Sequence, residues 1–111
     1  MKILIVDDEI ASRLLMCASL KKAGFRVAEA EDGLMAVKEF ESLQPDAVLL
    51  DVMMPKLDGF DTCRAIRKLK GGENTPILMV TGLDDIEAIN KAFNSGATDF
   101  ITKPINWTVL N

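Results

Sequence analysis

Ile3-Leu4-Ile5-Val6 runs without a break into Asp7-Asp8-Glu9, and the fold follows from that abrupt change. Four successive apolar residues leave no polar face, which marks a strand buried on both sides, as in a parallel sheet. The acidic run stops it at its carboxyl end, where open parallel sheets place their ligands. The same pattern recurs further along. Ala47 to Leu50 is apolar and stops at Asp51, Ile77 to Val80 stops at Thr81, and Phe100-Ile101 precedes Lys103. Phe25 to Ala30 is a weaker strand, interrupted by Arg26 and Glu29, which suits a sheet edge.

Helical spacing fills the gaps. Ala11, Leu14, Leu15 and Ala18 recur at helical intervals, and Gly24 suits the end of that helix. Asp32 can cap a helix carrying Leu34, Val37 and Phe40, which Pro45 ends. Phe60, Cys63, Ile66 and Leu69 mark a third helix, closed by Gly71-Gly72. Asp84 or Asp85 opens a fourth, with Ile86, Ile89 and Phe93 on one face and Gly96 at its end. Strand and helix thus alternate through the chain. The expected architecture is a doubly wound α/β fold of flavodoxin type, a five-stranded parallel sheet in the order 2-1-3-4-5 with helices on both faces. Beyond the fifth strand, Asn106 can cap a last helix from Trp107, but only a turn remains before Asn111. The final helix is therefore expected to be missing or truncated. One sheet face would then lack cover, and association into a homodimer is an expected consequence.

At 111 residues the chain is one domain. Its net charge of −4 argues against a nucleic-acid surface, which needs a clustered basic face. No apolar run has membrane-spanning length, and the first one is stopped too soon for a signal peptide. Cys17 and Cys63 have no metal-type spacing and read as small buried hydrophobes in a reducing, cytoplasmic setting. There is no histidine, which removes imidazole bases, triads and imidazole metal sites.

The chemistry collects at the strand ends. With strands one and three adjacent, Asp7, Asp8 and Asp51 converge, and Thr81 and Lys103 end strands four and five. Taken singly, each has an ordinary explanation: a solvated helix start, a turn residue, strand surface, a solvated lysine. Their common position outweighs these. Three carboxylates in a small space repel one another, and a divalent cation relieves the conflict. Oxygen-only ligands select a hard ion, magnesium or manganese. One carboxylate can then act as a nucleophile toward a phosphoryl group. A lysine would neutralise charge on the transferring oxygens, and a threonine hydroxyl would donate to one of them.

Four stretches carry a family resemblance: Ile3-Leu4-Ile5-Val6-Asp7-Asp8-Glu9; Val48-Leu49-Leu50-Asp51-Val52-Met53-Met54-Pro55 with Asp58-Gly59; Val80-Thr81-Gly82; and Gly96-Ala97-Thr98-Asp99-Phe100-Ile101-Thr102-Lys103-Pro104. In order and spacing the whole chain resembles the receiver domains of response regulators in two-component signalling, the CheY-like superfamily. The resemblance implies that Asp51 is the phosphoacceptor. It implies a metal held by Asp7, Asp8 and Asp51 with the backbone carbonyl of Met53, and phosphoryl contacts from Thr81 and Lys103. Gly82 would leave access to the phosphoryl group. Phe100 matches the switch aromatic that follows Thr81, and Lys103-Pro104 matches a cis bond. The phosphodonor would be a histidine kinase or phosphotransfer protein. Residues 1–111 would be the N-terminal receiver part of a longer protein, with its output domain beyond residue 111. Such a domain catalyses its own phosphorylation and dephosphorylation without turning over an external substrate.

Other readings fit less well. A haloacid-dehalogenase phosphatase needs a second aspartate where Met53 stands. A flavodoxin-like carrier needs hydroxyls and N–H groups where Asp7-Asp8-Glu9 would repel a phosphate. A pseudo-receiver acting only as an interaction module would lack one of the five polar residues, and this chain has them all. Met53 and Leu83, two residues beyond Asp51 and Thr81, are apolar and bulky, so slow self-dephosphorylation is expected.

Overall fold

The computed structural model describes residues 1–52, 54, 57–81 and 86–102, with only the backbone described for Thr81, Ile86, Ala88 and Thr102. Strands and helices alternate: β1 (Lys2–Val6), α1 (Ile10–Lys22), β2 (Arg26–Ala30), α2 (Gly33–Leu43), β3 (Ala47–Asp51), α3 (Gly59–Arg67), β4 (Ile77–Thr81), α4 (Ile86–Asn94) and β5 (Asp99–Thr102). All pairings are parallel, and the strand order is β2-β1-β3-β4-β5, as expected. The central strands are apolar because both faces are covered. Leu4, Ile5 and Val6 are fully buried, as are Val48 and Leu50.

Alternate side chains feed two cores. Leu4, Val6, Val48, Leu50, Ile77 and Met79 pack with Ala36, Phe40, Phe60, Cys63, Ile66 and Ala92, so α2, α3 and α4 share one face of the sheet. Ile3, Ile5, Leu49 and Val80 pack with Met16, Cys17 and Leu20 of α1 on the other. Among the described residues, α1 is the only helix on that second face. A groove of about 320 Å³ lies beside it, lined in part by Ile3, Leu20, Phe25, Leu49 and Leu78. Residues 103–111, where the expected final helix would begin, lie outside the described residues. No helix among the described residues is long and apolar enough to cross a membrane.

Two details differ from the sequence reading. In α1 the buried residues are Met16, Cys17 and Leu20, while Ala11, Leu14, Leu15 and Ala18 face solvent. The helix is apolar on both sides, so its spacing marks a helix without marking its buried face. In α3 the helix ends at Arg67, and Leu69 sits in the following turn, where its N–H still donates to Ile66 O at 3.0 Å. Leu69 packs on the core from there. Helix ends follow the caps. Asp32 accepts from Met35 N at 2.9 Å and Asp58 from Asp61 N at 2.9 Å. Gly24 leaves α1 with φ +97°, a conformation that favours glycine.

Candidate functional site: an acidic cluster at the carboxyl edge of the sheet

Register places the candidate residues. Val6 pairs with Leu50, so the next residues, Asp7 and Asp51, leave neighbouring strands at the same edge. Asp51 pairs with Val80, so Thr81 follows directly alongside, and Thr81 pairs with Thr102 of β5. One carboxylate oxygen each from Asp7, Asp8 and Asp51 lie within 4.8 Å of one another. Asp7 is fully buried, Asp51 is 6% exposed, and Asp8 is exposed. Two of three like charges therefore sit almost out of water.

Local chemistry holds the cluster in place. The N–H of Glu9 donates to Asp7 Oδ1 at 3.0 Å, bending the chain back as β1 ends. Arg13, one turn into α1, donates through Nη1 to the Asp7 carbonyl at 2.8 Å and through Nε to Glu29 at 3.0 Å. Its guanidinium thus ties the Asp7 backbone to α1 and β2. The sequence reading missed this role; the signal available was a lone arginine in an apolar helix one turn after an acidic run. On the other side, Gly59 N donates to Val52 O at 2.9 Å. A Cβ at Gly59 would come within 2.4 Å of the Asp51 carbonyl oxygen, so glycine is required for α3 to begin against the end of β3. Asp58, singled out with Gly59, is the N-cap of α3.

The donor set fits a small hard cation: three carboxylates, two of them buried, and no sulfur or imidazole. Oxygens around an octahedral magnesium lie roughly 3 to 4 Å apart, so small side-chain shifts would close the observed spacing. Phe100 is half-buried in β5 and packs against the core on the α2–α4 face. Thr81 ends β4, where its backbone is described. Lys103, Pro104 and their expected cis bond, the Met53 carbonyl, Gly82 and Leu83 lie outside the described residues.

Three comparisons bear on the family and the fold. The DNA-binding dual master transcriptional regulator RpaA of Synechocystis sp. is 40% identical over 105 residues, covering 95% of this chain and 44% of that protein. The response regulator MprA of Mycobacterium avium is 41% identical over 104 residues, covering 94% of this chain and 45% of that protein. The chain therefore spans less than half the length of these curated relatives. Among solved structures, the Vibrio cholerae chemotaxis protein CheY4 superposes with a TM-score of 0.94 at 35% identity, covering 98% of this chain and 91% of that one. The receiver domain of the Pseudomonas aeruginosa sensor histidine kinase PA1611, with a magnesium ion coordinated in its active site cleft, gives 0.91 at 31% identity, covering 98% and 89%. The model of the response regulator receiver domain matches residues 3–111, and the chain belongs to that family.

Proposed function

We propose that this receiver domain accepts a phosphoryl group on Asp51 and uses it to switch an output. The carrying observation is the convergence of Asp7, Asp8 and Asp51 within 4.8 Å at the carboxyl edge of the sheet. Asp7, Asp8 and Asp51 would hold magnesium or manganese, with the Met53 carbonyl as a further ligand. The ion would supply charge neutralisation for phosphoryl transfer. The magnesium site of the PA1611 receiver domain supports that assignment.

The chain's own residues would do the rest. A carboxylate oxygen of Asp51 attacks phosphorus, and the donor's bond to phosphorus breaks as the aspartyl phosphate forms. Burial of Asp51 keeps competing water from the acyl phosphate. Arg13 and Gly59 hold the two strand ends in register, so that attack needs no rearrangement of backbone. By position, Thr81 and Lys103 would contact the phosphoryl oxygens, and Phe100 would follow Thr81 as the site fills. Gly82 would leave the phosphoryl group access, and Pro104 would set the Lys103 turn. The donor would be a histidine kinase or a phosphotransfer protein. RpaA is a DNA-binding transcriptional regulator and MprA a response regulator, each more than twice the length of this chain, which supports residues 1–111 as the receiver part of a longer, cytoplasmic regulator.

Intact mass after incubation with acetyl phosphate and magnesium tests the proposal. One phosphoryl group should add, and borohydride trapping should map it to Asp51. Asp51→Asn should abolish the adduct, and chelation should suppress it by at least about tenfold. Equal phosphorylation of Asp51→Asn, or indifference to magnesium, would sink the assignment.

A further inference from the structure

Helix α1 carries a second apolar stripe that the other described elements leave exposed. Ile10 is 64% exposed, Leu14 55% and Leu15 63%, and Ala11 and Ala18 beside them are exposed too. At 100° per residue these five side chains fall within an arc of about 140°, turned away from buried Met16, Cys17 and Leu20. No other element among the described residues exposes three large apolar side chains. Isolated exposed leucines are ordinary, whereas a continuous stripe marks an interaction surface.

The charges around the stripe say what fits it. Asp8 and Glu9 lie at its start and Lys21 and Lys22 at its end, all exposed. Arg13 is turned aside to Glu29, so no charge interrupts the stripe. Glu9, Lys21 and Lys22 make no ion pair among the described residues. The acidic and basic ends are separated by twelve or so residues, roughly 18 Å of helix. A second copy of the same helix, antiparallel about a two-fold axis near Leu14 and Leu15, answers every part. Leu14 and Leu15 meet the partner's Leu15 and Leu14, Ala11 meets Ala18, and each acidic end meets a basic end. The small residues allow the helix axes to approach closely. A parallel pair would instead set like charges together.

We propose that α1 is a self-association surface whose occupant is the α1 helix of a second copy, packed antiparallel. One helix per protomer is less than the roughly 800 Å² per partner of a standard stable interface, so the dimer is weak and concentration-dependent. Because α1 starts at Ile10, two residues after Asp8, the paired helices flank the mouth of the acidic cluster. If the proposed phosphorylation holds, pairing hinders a bulky protein donor while leaving acetyl phosphate free access.

Sedimentation over a concentration series in low salt tests the pairing without reference to phosphorylation. The weight-average mass should rise with concentration, and Leu14→Glu should weaken association at least tenfold. Glu9→Lys alone should weaken it, and the double change Lys21→Glu, Lys22→Glu alone should weaken it further, because acidic ends then face acidic ends. Mixing those two charge variants should restore association in part, because each mixed pair regains one fully complementary end, Lys21 and Lys22 against Asp8 and Glu9, and at the other end the lysine put in place of Glu9 faces the two introduced glutamates. Circular dichroism and thermal melts on each variant confirm that these exposed changes leave the fold intact. A chain that stays monomeric throughout overturns the proposal. So does a dimer that survives Leu14→Glu, which would place the contact elsewhere, for instance on the groove beside Leu78. Failure of the mixed variants to associate overturns the antiparallel arrangement.

Discussion

Cys17 shows how one buried side chain reports on the whole fold. It is 3% exposed, between α1 and the sheet, near Glu29. Burial, and then the Glu29 carboxylate, push its thiol from 9.0 to about 11. Both causes act against the thiolate, burial by removing water from the charge and Glu29 by repelling it. The thiolate is the reactive form, so at pH 8 the native thiol should be alkylated about a hundredfold more slowly than an ordinary cysteine, from the thiolate fraction alone. The linkage sign follows. The folded state holds the proton to higher pH than the unfolded chain. The associated stability is therefore full below pH 9 and is lost as pH rises toward 11. Cys63 shifts in the same direction, chiefly by burial. Timed iodoacetamide labelling of native and urea-unfolded protein at pH 8 measures this. Equal rates in the two states would show that α1 does not stay docked on the sheet.

At the scale of elements, Arg67 does the most joining. It ends α3 and donates through Nε to Gly96 O at 2.8 Å and through Nη1 to Gly72 O at 2.7 Å. Nη1 also reaches Thr75 O, and Nη2 reaches Thr98 Oγ1 at 3.2 Å. Thr98 Oγ1 in turn accepts from Ile77 N at 3.0 Å. One guanidinium thereby fastens the ends of α3 and α4 to the start of β4. Arg67→Ala should cost about 2–4 kcal/mol, since several carbonyls lose a charged donor. Arg67→Lys should recover only part, because an ammonium cannot fork to separate acceptors. Urea titration of both variants measures the two losses, and a loss below about 1 kcal/mol for alanine would show the network to be ornamental. Nothing in the sequence announced this. An arginine at a helix end reads as solvated, and its partners lie up to 31 positions away. The strand ends were legible for the opposite reason: Val6-Asp7 and Leu50-Asp51 change from apolar to acidic within one residue. Parallel register then brings such edges together without further information. Helix existence was legible in α1, but not which side it buries, because Leu14 and Leu15 are as apolar as Met16 and Leu20. The end of α2 hid a further surprise. Gln44 adopts φ 50° in place of a glycine, and its own N–H donates to Phe40 O at 2.9 Å.

For the whole molecule, the acidic cluster sets stability against function. Asp7, Asp8 and Asp51 converge where two of them are buried, and like charges so placed oppose folding. Their cost is felt by the entire domain, because α1, α3 and the central strands all meet at that edge. A cation bound only by the native cluster would reverse it. Magnesium at ten times its dissociation constant should stabilise the fold by about 1.4 kcal/mol. For a domain of this length that raises the melting temperature by roughly 5–10 °C. Asp8 is the informative site for a variant, because it is exposed and, among the described residues, makes no hydrogen bond that positions a strand end. Asp8→Asn removes one repelling charge and one ligand with little change of shape. Without metal, the variant should melt higher than the parent. With magnesium, the parent should gain and the variant should gain little, so the order of the two melting temperatures should reverse as magnesium is added. Calcium, which prefers more ligands and longer bonds, should stabilise the parent less than magnesium at equal concentration. Thermal melts of both proteins across a magnesium series measure the crossing. Parallel curves would mean that the three carboxylates do not act as one metal site, and the phosphoryl-transfer reading would lose its electrostatic basis.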